Sequence, residues 1–140
     1  MESPGGADDL PLPLRGKTVA RCIVDTAFGI DFIEAGKRSA IRIESHFILR
    51  EGGVARSLSA GRVEDMGKAL VLIGKTVTRA LARGDGALEV TFEDGTVLSV
   101  PPNPSTVAWE FAAPDRSFVV SLAGGGLSTR VRPSKVRGVP

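Results

Sequence analysis

Gly74-Lys75-Thr76-Val77-Thr78-Arg79 has a near-copy 58 residues earlier, Gly16-Lys17-Thr18-Val19-Ala20-Arg21. The likeness continues beyond the motif. At the same spacing Ile30 and Phe32 precede Leu88 and Val90, and after a slip of one residue Ile41 and Ile43 match Leu98 and Val100. Two related halves are therefore predicted, and both are β-rich. Apolar and polar residues alternate through Val19–Asp25, Phe28–Ile33, Ala40–Glu44, Val77–Ala82 and Leu88–Glu93. A period of two is the pattern of a half-buried strand.

Turn chemistry separates these runs. Glu34-Ala35-Gly36-Lys37, Glu51-Gly52-Gly53, Gly84-Asp85-Gly86 and Asp94-Gly95 each supply residues suited to tight hairpins. Pro101-Pro102-Asn103-Pro104 ends one strand with a rigid connection. Further extended runs follow at Val107–Phe111, Phe118–Leu122 and Leu127–Val131, the last after Gly124-Gly125-Gly126. Only residues 58–73 break the pattern. There Val63, Met66, Leu70 and Ile73 fall at helical spacing, with Ser59 as N-cap and Glu64 and Asp65 suited to the positive end of the helix dipole. The spacing predicts one short linking helix over residues 62–72.

The fold class is thus mainly β (α+β): an antiparallel meander, barrel-like, built from pseudo-repeats 14–57 and 72–131. Residues 1–13 read as a flexible N-terminal segment, with Leu10, Leu12 and Leu14 able to tack onto the body. Residues 132–140 read as a disordered basic tail. A chain of 140 residues, 42% hydrophobic and 24% charged, suits one globular domain.

Charge and cysteine content narrow the function classes. The net charge is +2, but Glu2, Asp8 and Asp9 make the start acidic and Arg130, Arg132, Lys135 and Arg137 make the end basic. The middle is nearly neutral, so a pI near 9.0 reflects the tail and is weak support for nucleic acid. Cys22 stands alone, which excludes an internal disulfide and suits a reducing compartment. No signal peptide or membrane-spanning run is evident, and a cytoplasmic protein is expected.

Few residues carry chemistry. Gly-Lys-Thr invites a phosphate-loop reading, but that motif needs a Gly five positions earlier, where Pro11 and Ala69 stand, and a helix after it. A strand start after a turn fits better. Gly124-Gly125-Gly126 reads as a turn rather than an anion nest. His46 and Cys22 are each the only residue of their type, so neither metal binding nor a Cys–His nucleophile is favoured, and no metal or cofactor is expected. Asp25, Asp31, Glu34, Glu44, Glu89, Glu93, Asp94 and Glu110 fit solvated strand faces better than an acid–base pair. Trp109, next to Glu110, is the residue best able to anchor a partner or stack a ligand, although a lone Trp in an apolar strand is more often core.

The run Asp85–Val100, followed by Ala108-Trp109-Glu110 and Gly125-Gly126, is similar to small actinobacterial proteins catalogued only as a domain of unknown function. Leu14–Val19 and Ile41–Glu44 fit the same resemblance, which covers roughly residues 12–130. It departs at Thr106 or Val107, where many such sequences carry an acidic residue, and at Ser128–Arg130, where many carry an aromatic. The resemblance implies no enzyme activity, and the build is similar to that of immunity proteins that neutralise bacterial toxins. The expected function is a non-enzymatic protein-binding domain of the immunity type, with Trp109 and Glu110 as binding residues. The alternatives are a small-molecule-binding β-barrel and a structural homodimer.

Overall fold

The computed structural model describes residues 8–130. In chain order its elements are β1 (Leu10–Pro11), β2 (Val19–Val24), β3 (Phe28–Glu34), β4 (Lys37–Ile43), β5 (His46–Glu51), β6 (Val54–Ser59) and α1 (Val63–Ala69). A 3-10 turn (Leu70–Leu72) follows, then β7 (Val77–Ala82), β8 (Leu88–Phe92), β9 (Val97–Val100), β10 (Trp109–Ala112), β11 (Phe118–Ser121) and β12 (Leu127–Arg130). The fold is mainly β, with every strand pair antiparallel.

The strands form two six-stranded sheets. Sheet I runs β12-β11-β10-β4-β3-β2 and sheet II runs β1-β7-β8-β9-β5-β6. They share one core, and the rings of Phe28 in sheet I and Phe47 in sheet II stack at 5.6 Å between centroids. The sheets remain open and do not close into a barrel. Each half builds a three-stranded meander, β2-β3-β4 or β7-β8-β9, and then crosses to the other sheet. There β10 pairs with β4, and β5 pairs with β9. Each sheet is therefore completed by strands from the other half.

The 58-residue spacing becomes a local two-fold. The backbone N–H of Val19 donates to the Lys75 carbonyl at 2.9 Å, and Val77 N–H donates to the Lys17 carbonyl at 2.9 Å. Gly16 donates to Val77 and Gly74 to Val19 in the same reciprocal way. Thr18 and Thr76 form the bridge between, their hydroxyls 2.8 Å apart. A register irregularity follows in both copies, at Val19/Arg21 and at Val77/Arg79. Both glycines have positive φ, 82° and 90°, which explains why each motif begins with Gly.

Beyond this junction the correspondence shifts. Val19 pairs with Phe32 and Val77 with Phe92, so Phe32 answers to Phe92 and not to Val90. The connection after β7 is longer than the one after β2, spanning 83–87 rather than 25–27. The match of Ile41 with Leu98 holds, because these residues pair with Ile30 and Val90 respectively.

Four local expectations are corrected. The helical stretch runs over 63–72, as α1 and the 3-10 turn together, but its buried residues are Met66, Ala69 and Leu72. Val63, Leu70 and Ile73 are exposed instead. The last turn tightens to three residues per turn, which aligns 66, 69 and 72 on one side. Ser59 is not the N-cap: it ends β6, and its N–H donates to Asp65. Residues 54–59, left without a strand by the sequence, form β6 against β5. At the N-terminus Leu10 and Pro11 pair with Ala82 and Leu81, and Leu12 and Leu14 are buried. Part of the segment expected to be flexible is thus docked. Residues 1–7 and the basic tail 132–140 lie outside the described residues.

Candidate functional site

Trp109 lies on the inner face of β10 and is completely buried. Its indole N–H donates to the Gly86 carbonyl at 2.9 Å, and the Ser121 hydroxyl donates to the same oxygen at 2.7 Å. The side chain anchors the β7–β8 turn and presents nothing to a partner. Glu110 points the other way, on the outer face of sheet I, opposite Arg42. Arg42 also reaches Glu44 at 3.4 Å and Asp25 at 3.7 Å. Partial burial, and then the neighbouring Glu44 charge, raise the Glu110 carboxyl above its ordinary value. Trp109 and Glu110, adjacent in sequence, therefore face opposite sides of the sheet and make no common site.

The other chemistry-bearing residues are also dispersed. Cys22 belongs to sheet I and His46 to sheet II. Burial, with Asp31 as the lesser cause, pushes the Cys22 thiol up to about 11, so it is protonated at neutral pH and a poor nucleophile. Asp31 is buried on the outer face and pairs with Arg21 at 2.6 Å and Arg38 at 3.4 Å. Among the described residues no group of three or more His, Cys, Asp or Glu could hold a metal ion. Gly124–Gly126 is a turn whose Gly126 N–H donates to the Asp85 carbonyl.

Two features of the surface are not accounted for by packing. The first is the free edge of β2. Its two-fold counterpart, β7, is covered along its outer edge by β1, with Leu12 N–H donating to the Ala80 carbonyl at 3.0 Å. On the other half the chain preceding the motif is wound into α1 and the 3-10 turn, whose N–H groups bond within the helix. Among the described residues no strand pairs with the outer edge of β2, which ends sheet I. Ile23 and Val24 there are 39% and 43% exposed.

The second is a cleft of about 650 Å³ lined by Pro13, Lys17, Lys37, Arg38, Ala113, Pro114 and Asp115. Three of these side chains are cations and one is an anion. Lys17 donates to the buried Ser39 hydroxyl at 3.4 Å. A more apolar slot of about 270 Å³ adjoins the cleft and shares Pro13, Ala113 and Asp115 with it. The cleft was not singled out from the sequence. Its signal lay in the repeat, where Lys37-Arg38-Ser39 stands in the place of Asp94-Gly95-Thr96.

Among the described residues no helix is long and apolar enough to cross a membrane. No curated protein and no solved structure matches the chain. Residues 10–131 match the family of unknown function DUF6188, from the start of β1 to one residue past β12, so both sheets, the β2 edge and the cleft fall within the match. The chain belongs to this family of unknown function.

Proposed function

We propose that the protein is a non-enzymatic protein-binding domain that takes an extended strand of its partner along the outer edge of β2. The observation that carries this reading is the unequal treatment of two equivalent strands. The chain covers the end of β7 with its own β1 and, among the described residues, leaves the equivalent end of β2, beyond Val19, without a paired strand. A row of strand N–H and C=O groups is a template for another strand, and natural edges are usually blunted by a free charge, a proline or a bulge. The one charged residue in β2, Arg21, is already paired with Asp31, and beyond the irregularity at Val19/Arg21 the run Cys22–Val24 is regular. The exposed Ile23 and Val24 would select the partner's side chains.

Inhibition of a toxin, in the manner of an immunity protein, is the narrower form of this proposal. The test compares the wild type with an Ile23→Lys/Val24→Lys variant as bait in an extract of the native host. A stoichiometric partner held by the wild type and lost by the variant is expected. The inhibitor form further requires that the captured chain be toxic alone and silent in the complex. Equal capture by both baits would overturn the edge. A wild type that scatters light as twice 14.6 kDa, while the variant stays monomeric, would replace the foreign partner by a second copy.

A further inference from the structure

The local two-fold carries Lys17 onto Lys75, and the two lysines have opposite surroundings. Lys75 is paired with Asp94 and lies 3.9 Å from Glu51. Asp94 stands two residues before Thr96, whose side chain is buried next to β9. Ser39, within β4, holds the place equivalent to Thr96, since Ala40 pairs with Asp31 as Val97 pairs with Thr91. Two residues before Ser39 the chain has Lys37, not an acid. Lys17 therefore has a hydroxyl behind it and two further cations, Lys37 and Arg38, along the same cleft. Among the described residues neither Lys17 nor Lys37 has an ion-pair partner, and Arg38 has only Asp31, already held more closely by Arg21.

We propose that this cleft binds the phosphate group of a small organic phosphate. An anion between Lys17 and Lys37 would do for Lys17 what Asp94 does for Lys75. Two free ammonium groups and a guanidinium exceed what a single carboxylate can balance, and they suit a dianion with three acceptor oxygens. Ser39 fixes the Lys17 ammonium at the wall of the cleft. The volume of about 650 Å³ is that of a ligand site rather than of a bare ion. The adjoining slot, with Leu12, Phe111 and Phe118 in its walls, would take the apolar body of the ligand. The site is formed by side chains at the start of a strand, and owes nothing to a phosphate loop.

The test is an NMR titration of the full chain with phenyl phosphate, and with benzoate as the carboxylate of similar shape. Saturable shifts are expected at the amides of Lys17, Lys37, Arg38, Ser39, Ala113 and Asp115, for phenyl phosphate only. Lys37→Asp reverses the charge of an exposed residue at the start of β4, and an otherwise unchanged spectrum would show that it folds. It should weaken phenyl phosphate at least about tenfold. Lys17→Gln provides a second variant with the same expectation. Shifts that do not saturate by about 10 mM, or that spread equally to Lys68 and Arg83, would overturn the proposal. So would equal binding of benzoate, or unchanged affinity in both variants.

Discussion

At the scale of single residues, the Gly86 carbonyl shows how this protein uses its one tryptophan. Two buried donors, Trp109 and Ser121, converge on that oxygen, and the turn that carries it is pressed against Gly126. Gly86 has φ of 103°, and a Cβ there would lie 3.0 Å from the Gly126 nitrogen. Trp109→Phe keeps most of the apolar volume and loses the N–H bond, which should cost about 1–2 kcal/mol; Trp109→Ala leaves a cavity and should cost about 3–5 kcal/mol. Urea unfolding measures both, and a cost near zero for Trp109→Ala would contradict its place in the core. A second residue-scale effect depends on pH. The Lys75 ammonium, followed by the Thr96 N–H, lowers the Asp94 carboxyl from 3.8 to about 2. The folded value lies below the unfolded one, so the stabilisation is complete above about pH 4 and is lost as pH falls toward 2. The pair is exposed and contributes no more than about 1 kcal/mol. Lys75→Met should flatten this part of the acid limb while the rest of the acid unfolding remains.

At the scale of elements, hairpin β3–β4 contains a correctable strain. Ala35 and Gly36 both have positive φ, 53° and 77°, between Glu34 and Lys37, which is the two-residue turn that favours Asn-Gly. Ala35→Asn should raise stability by about 0.5–1 kcal/mol, read as a higher denaturation midpoint with an unchanged urea slope. This turn was legible in the sequence, as were most strands, because Gly and Asp-Gly punctuate runs of period two. What was not legible follows from the same period. A shift of two residues keeps every side chain on its own face, so Ile30 could be matched to Leu88 although β3 and β8 place it against Val90. β6 escaped notice because only Leu58 in it is buried, leaving no alternation to read. The helix was found but its face was not, since the change to a 3-10 turn at Leu70 depends on how Leu72 packs beneath the sheets. Trp109 and Glu110 were visible as unusual residues. Which of them faced the core depended on the pairing of β10 with β4, a contact between halves that no local pattern contains.

At the scale of the whole molecule, the exchange of strands between halves makes folding a joint event. The first half alone would hold β2-β3-β4 and β5-β6, but β10 and β9, which flank β4 and β5, come from the second half. β4 and β5 would then present open edges, and the core around the Phe28–Phe47 stack would lose the residues that the second half contributes. A chain of about 60 residues is already marginal when its core is complete, and here each half would hold only part of each sheet. The reciprocal bonds at Thr18 and Thr76 also exist only when both halves are present. Fragments 1–61 and 62–140 should therefore each lack a cooperative unfolding transition, and mixing them should restore one near that of the intact chain. Circular dichroism with urea titration distinguishes the outcomes. A cooperative transition in either fragment alone would mean that a half carries its own sufficient core, and that the crossed strands reinforce the fold rather than create it.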